Sequence, residues 1–272
     1  MKKILTTFVS LGSVTCGADL VANWDDFSNL QDSTEAYSLV LSEGNASVTN
    51  GVLAIAGSTQ SDANQSPAYA TIDISSAGLS MKGGLTLSIT VSNIGMLRGT
   101  SNPVNLFGLA SDSNEFLFAA VYNTYNSDGS QFKFAYDGST NNVKEGTYTN
   151  VGTKIAEGAI PTTLTLTIND NQLAWYINGV LSYSSTTNDS KPVNNQTVDI
   201  TGYRNQNLTT LAIGGWVGPT KNGHMTGKVY DLSIYDGAMT AAEVKAMVIP
   251  EPTTATLSLL ALAGLAARRR RR

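Results

Sequence analysis

The chain has 272 residues, 42% of them hydrophobic and only 14% charged, with a formal net charge of −4. All 21 acidic residues follow Ala18, while Lys2, Lys3 and Arg268 to Arg272 supply seven of the 17 basic ones, so the stretch between the ends holds ten bases against 21 acids. That balance argues against nucleic acid as a partner, since phosphate binding needs clustered Lys and Arg; a zinc, iron or copper site wants several His or Cys ligands, and the chain has one of each.

Lys2 and Lys3 precede a mostly apolar run from Ile4 to Val14, and Cys16-Gly17-Ala18 offers small residues for cleavage. This is the pattern of a secretory signal peptide over residues 1–18, with the cut expected after Ala18. Acylation of Cys16 is the alternative, but Ser13 stands where a Leu is usual. A cut after Ala18 leaves no cysteine, so the exported body must be held by its core and not by disulfides. That body, residues 19–248, has the length of one large all-β domain.

Asp19 to Trp24 reads as an opening strand, able to pair late with the C-terminal one. Asp25 to Gly44 reads as polar and irregular. Asn50-Gly51 predicts a hairpin turn, because both residues tolerate positive φ, and Val52 to Ile55 follows as a strand. Ala70, Ile72 and Ile74 share a face, as do Leu85, Leu87, Ile89 and Val91. Val104 to Ala110, Glu115 to Tyr122 and Gln131 to Tyr136 are the next strands, with turns at Asp128-Gly129 and Asp137-Gly138.

In the second half Leu164, Leu166 and Ile168 alternate with threonines, and Asn169-Asp170-Asn171 turns the chain. Leu173, Trp175 and Ile177 form the next inward set, and Asn178-Gly179 leads into Val180 to Tyr183. After a long Ser/Thr/Asn loop come strands at Leu208 to Ile213 and Gly227 to Tyr235, the latter with Tyr230, Leu232 and Ile234 expected on one face. Thr240-Ala241-Ala242-Glu243 is a capping box and opens one short helix ending before Pro250. Many short strands, turn residues between them and one terminal helix predict an all-β sandwich.

Two blocks carry a family resemblance. Ile160 to Ile168 with Leu173 to Gly179 resembles a central hairpin of LamG-like, concanavalin A-like domains, and Ile234-Tyr235-Asp236 followed by Thr240 to Glu243 resembles their closing strand and helix. Pro161-Thr162-Thr163 occupies the place of the family's usual Trp-His. The resemblance implies a two-sheet antiparallel jelly-roll over residues 19–248.

Residues 249–272 carry a second resemblance. Pro250-Glu251-Pro252 separates the domain from an apolar run, Ala255 to Ala267, and five arginines close the chain. Those three features in this order resemble the PEP-CTERM sorting signal of Gram-negative bacteria. The resemblance implies export by the secretion machinery, transient membrane insertion through 255–267 and processing near Pro250, Glu251 and Pro252 by an exosortase-type enzyme. The mature protein then belongs to the outer surface or an extracellular matrix. As a helix the apolar run reaches about 20 Å, short of the roughly 30 Å of bilayer hydrocarbon, which suits a transient signal better than a permanent anchor.

No catalytic constellation is visible. His224 sits in a Gly-rich loop, and Asp73, Glu115 and Asp231 are single acids in apolar strands, expected at edges or facing solvent, whereas glycoside hydrolysis needs two carboxyl groups. No cofactor is implied; Ca2+ is the one candidate ion, through Thr124 to Gly129, which lacks the first and twelfth acids of a calcium loop. Sugar binding through aromatic faces and amides is the stronger option, with Trp216, Tyr122, Asn123 and Tyr125 as candidates beside Asn126, Tyr203 and Asn205. Trp24 and Trp175 are expected in the core. The sequence thus predicts a non-enzymatic surface or matrix protein binding glycan or a protein partner. A purely structural matrix component and a divergent polysaccharide hydrolase are the alternatives.

Overall fold

The computed structural model describes residues 17–42, 45–57, 69–95, 104–112, 116–123, 130–137, 143–146, 155–156, 158–169, 172–186, 206–215 and 225–248. The strands are β1 (Asp19–Trp24), β2 (Leu39–Leu41), β3 (Ala46–Thr49), β4 (Val52–Ala56), β5 (Ala70–Asp73), β6 (Leu85–Gly95), β7 (Val104–Ser111) and β8 (Phe116–Asn123), then β9 (Ser130–Asp137), β10 (Val143–Gly146), β11 (Thr162–Ile168), β12 (Gln172–Ile177), β13 (Val180–Thr186), β14 (Leu208–Ile213) and β15 (Thr226–Asp236). Among the described residues one α-helix, α1 (Ala241–Val248), follows.

The strands form two antiparallel sheets, as the sequence predicts. One runs β10-β9-β8-β7-β14-β5-β2. The other runs β13-β12-β11-β6-β15 and then divides: β4 pairs with Thr226 to Val229 of β15, β1 with Leu232 to Asp236, and β3 lies outside β4. The late pairing of the opening strand is therefore realised.

Period-two alternation explains the core. Leu87 of β6 stands opposite Leu166 of β11 on one side and Ile234 of β15 on the other, and Ile89 stands between Leu164 and Leu232 in the same way. All six are at most 1% exposed. They pack with Ile72, Phe107, Leu109, Leu211 and Ile213 of the second sheet, and Trp24, Phe27 and Trp175 belong to the same core. Full burial of each such side chain is worth about 1.5–3 kcal/mol.

Both Asn-Gly hairpins form with positive φ at each residue: 51° and 74° at Asn50-Gly51, 49° and 77° at Asn178-Gly179. Their backbone twist matches that of the flanking strands. At Gly51 space enforces the glycine as well, since a Cβ there would lie 2.6 Å from Asp26 Oδ1.

Two expectations are corrected. The polar stretch 25–44 contains β2, which pairs with β5, and an isolated bridge between Gln31 and Ser38; a three-residue edge strand is too short to show alternation. Asp32 organises that stretch, accepting bonds from the Thr34 amide (3.0 Å), the Thr34 hydroxyl (2.6 Å) and the Tyr37 amide (2.8 Å). Burial works to raise the Asp32 pKa, but these bonds outweigh it and hold the carboxyl below its ordinary range. Secondly, Tyr230 does not share a face with Leu232 and Ile234. A bulge between Val229 and Asp231 gives β15 one extra residue, so Val229 stays inward while the Tyr230 hydroxyl lies 3.0 Å from Ser92 Oγ.

Candidate functional site: a polar cleft on an outer sheet face

The residues that alternate with the inward Leu and Ile of β6 are Thr86, Ser88, Thr90 and Ser92; those of β11 are Thr163, Thr165 and Thr167. The register sets Thr90 opposite Thr163 and Ser88 opposite Thr165. Their hydroxyls meet at 2.9 and 3.0 Å, forming a ladder across the outer face. On the other side of β6, the β15 bulge sets Asp231 opposite Thr90, and Ser233 falls opposite Ser88. The Ser233 hydroxyl donates to Asn23 Oδ1 of β1 at 2.8 Å. Four strands thus bring hydroxyl, amide and carboxyl groups onto one surface.

The chain after β15 covers one end of this surface. Thr86 Oγ1 donates to the Gly237 carbonyl (2.8 Å) and accepts from the Met239 amide (2.9 Å), which anchors the segment entering α1. Gly84, with φ of 98°, permits the close approach: a Cβ there would lie 2.6 Å from the Ala238 nitrogen. The capping box forms as predicted, the Thr240 amide bonding Glu243 Oε2 at 2.7 Å and the Glu243 amide bonding Thr240 Oγ1 at 3.3 Å. The helix then buries Val244 in a small cluster with Ala18, Ala174, Tyr176 and Met239.

The other end stays open as a cleft of about 320 Å³. It is lined by Ser88, Thr90 and Thr163 of the ladder, by Asn23, Asp231, Ser233 and Tyr235, and by Met247 and Val248 at the end of α1. Burial pushes the Asp231 carboxyl above the usual carboxylate range; the Ser233 hydroxyl, 3.4 Å away, opposes this and the negative charge of Asp25 adds to it. Asn23 also borders a second hollow of about 270 Å³, lined by Asp25, Asp26, Asp32 and Glu35 among others. Two of those carboxyls are engaged within their own loop, Asp26 by the Ser28 amide and Asp32 as above. Among the described residues no three of His, Cys, Asp and Glu are grouped to hold a metal ion.

Chemically, the cleft can exchange hydrogen bonds with a neutral, hydroxyl-rich ligand while presenting aromatic and aliphatic side chains. Among the described residues that line it there is one carboxyl group, Asp231, where hydrolysis of a glycoside uses two.

Two of the binding residues expected from sequence, Tyr122 and Asn123, are among the described residues. Tyr122 and Asn123 end β8 in the opposite sheet, paired with Gln131 and Ser130. Trp216, Tyr125, Asn126, Tyr203, Asn205, His224, Glu115, the loop 124–129, the run 255–267 and Pro250 to Pro252 fall outside the described residues. Ala18 is 3% exposed, beneath α1. Asp73 ends β5 and accepts from the Ser75 amide (2.9 Å) and hydroxyl (2.6 Å), a turn role. Asn23, Thr90, Thr163 and Ser233 escaped the sequence reading because their Ser/Thr alternation marks only a polar face; that β1, β6, β11 and β15 are neighbours is a tertiary fact.

Residues 248–272 match the PEP-CTERM protein-sorting motif. The motif begins on the last helical residue, so the chain carries a signal for export and surface sorting, recognised by an exosortase, immediately behind its sandwich. No curated protein matches the sequence. Among solved structures, the chain is similar to domain 4 of AbnA, a GH43 extracellular arabinanase from Geobacillus stearothermophilus solved in complex with arabinotriose: TM-score 0.54, 19% identity, 85% of this chain and 98% of that one. It is similar to the binding domain of botulinum neurotoxin serotype G, with TM-score 0.56, 12% identity, 85% of this chain and 50% of that one. It is also similar to Trypanosoma rangeli sialidase, with TM-score 0.54, 15% identity, 85% of this chain and 32% of that one. The chain therefore spans nearly the whole arabinanase domain but only half of the neurotoxin binding domain and a third of the sialidase. At such identities these likenesses show the fold, a β-sandwich.

Proposed function

We propose that this is an exported, non-enzymatic surface or matrix protein of a Gram-negative-type bacterium, whose LamG-like sandwich binds glycan through the cleft beside α1. Residues 1–18 act as a signal peptide and residues 249–272 as an address processed near Pro252. The observation that carries the glycan reading is the composition of the cleft: a ladder of paired hydroxyls with Asn23, Asp231 and Tyr235 on one outer sheet face. Sugars are held by such planar amide and carboxyl groups together with an aromatic face. The arabinotriose bound in the structurally similar arabinanase domain supports the choice of ligand class.

A polysaccharide array probed with the wild-type protein and with Asn23→Ala tests the reading. Binding to at least one polysaccharide is expected, weakened about tenfold or more in the variant, since loss of one buried hydrogen bond of about 1.5 kcal/mol is worth that factor. A folded wild-type protein that binds no polysaccharide leaves the purely structural matrix role. Release of reducing sugar that stops in Asp231→Asn makes the protein a hydrolase instead.

A further inference from the structure

The folded body begins before β1. Ala18 is 3% exposed and packs in the cluster beneath α1 with Ala174, Tyr176, Met239 and Val244. The turn after β15 is shaped around it: Gly237 has φ of 108°, and a Cβ there would stand 3.1 Å from both Cα and Cβ of Ala18. One residue earlier, the Gly17 amide donates to Glu243 Oε1 at 2.6 Å. The other oxygen of that carboxylate takes the Thr240 amide at 2.7 Å, so one side chain closes the start of α1 and also holds the start of the described chain. A cut after Ala18 would remove a buried methyl group from the cluster and return Glu243 Oε1 to water.

We infer that the mature chain keeps Gly17 and Ala18, the signal peptide being removed at the Cys16–Gly17 bond. The inference rests on the signal-peptide reading and changes its boundary. Water adds across the amide, leaving a carboxylate on Cys16 and an ammonium on Gly17. The compact side chains of Val14 and Cys16 stand third and first before that bond, as a signal peptidase requires. The new ammonium occupies the place of the Gly17 nitrogen, 2.6 Å from the Glu243 carboxylate, so an amide–carboxylate hydrogen bond becomes an ion pair. Export thereby ties the new N-terminus to the helix that directly precedes the sorting motif.

N-terminal peptide mass spectrometry of the full protein recovered from the cell surface tests this, with free α-amines labelled before digestion. A first residue of Gly17 is the expected result. A first residue of Asp19, or any other than Gly17, overturns the inference. Of these outcomes only a retained Met1 also undoes the signal-peptide reading, so the two failures are distinguishable.

Discussion

Asp231 owes its position to one extra residue in β15. The bulge after Val229 turns it outward, opposite Thr90, into a cleft partly closed by α1. Burial there disfavours the charged form, so the folded pKa lies above the unfolded value near 3.8. Between those two values the native state binds more protons than the unfolded one, and stability falls as pH rises through the window. Asp231→Asn removes the charge that causes this. Its melting temperature should exceed that of the wild type at pH 7, and the gain should shrink as pH falls through that window, to vanish near pH 4. Thermal unfolding of both proteins at the two pH values checks it; an equal or lower melting temperature at pH 7 would contradict the burial argument. The sequence shows Asp231 only as an acid in an apolar strand, because a bulge leaves no mark in composition or spacing. The two Asn-Gly turns, by contrast, were legible from two residues each, since the φ values they tolerate are a local property.

At the scale of elements, α1 is short and depends on what holds its first turn. Thr240 and Glu243 exchange two hydrogen bonds there, and Val244 supplies its buried anchor. Thr240→Ala removes one of those bonds and should lower stability by about 1 kcal/mol, measured by chemical unfolding. No measurable change would mean that the packing of Val244 and Met239 alone fixes the helix. The capping box and the helix were readable because the signal spans four consecutive residues. The inward faces of β6, β11 and β12 were readable from their alternation. The short strands β2 and β10 were not: an element of three or four residues barely completes one period.

For the whole molecule, the long-range pairing of β1 with β15 brings the two ends of the sandwich together at α1. The same closure builds the cleft, since β1 brings Asn23 beside Ser233 and the end of α1 lines it. Sequence patterning established which residues face outward, but the order of strands in the sheet decides which outward residues become neighbours. The sandwich ends where the sorting motif begins, at Val248. In the proposed function, everything behind this point is an address and not part of the working protein. The mass of the C-terminal peptide of protein recovered from the cell surface decides the matter. A chain ending close to Pro252, without the apolar run and the arginines, is expected; a surface protein still carrying Arg272 would rule out the sorting role.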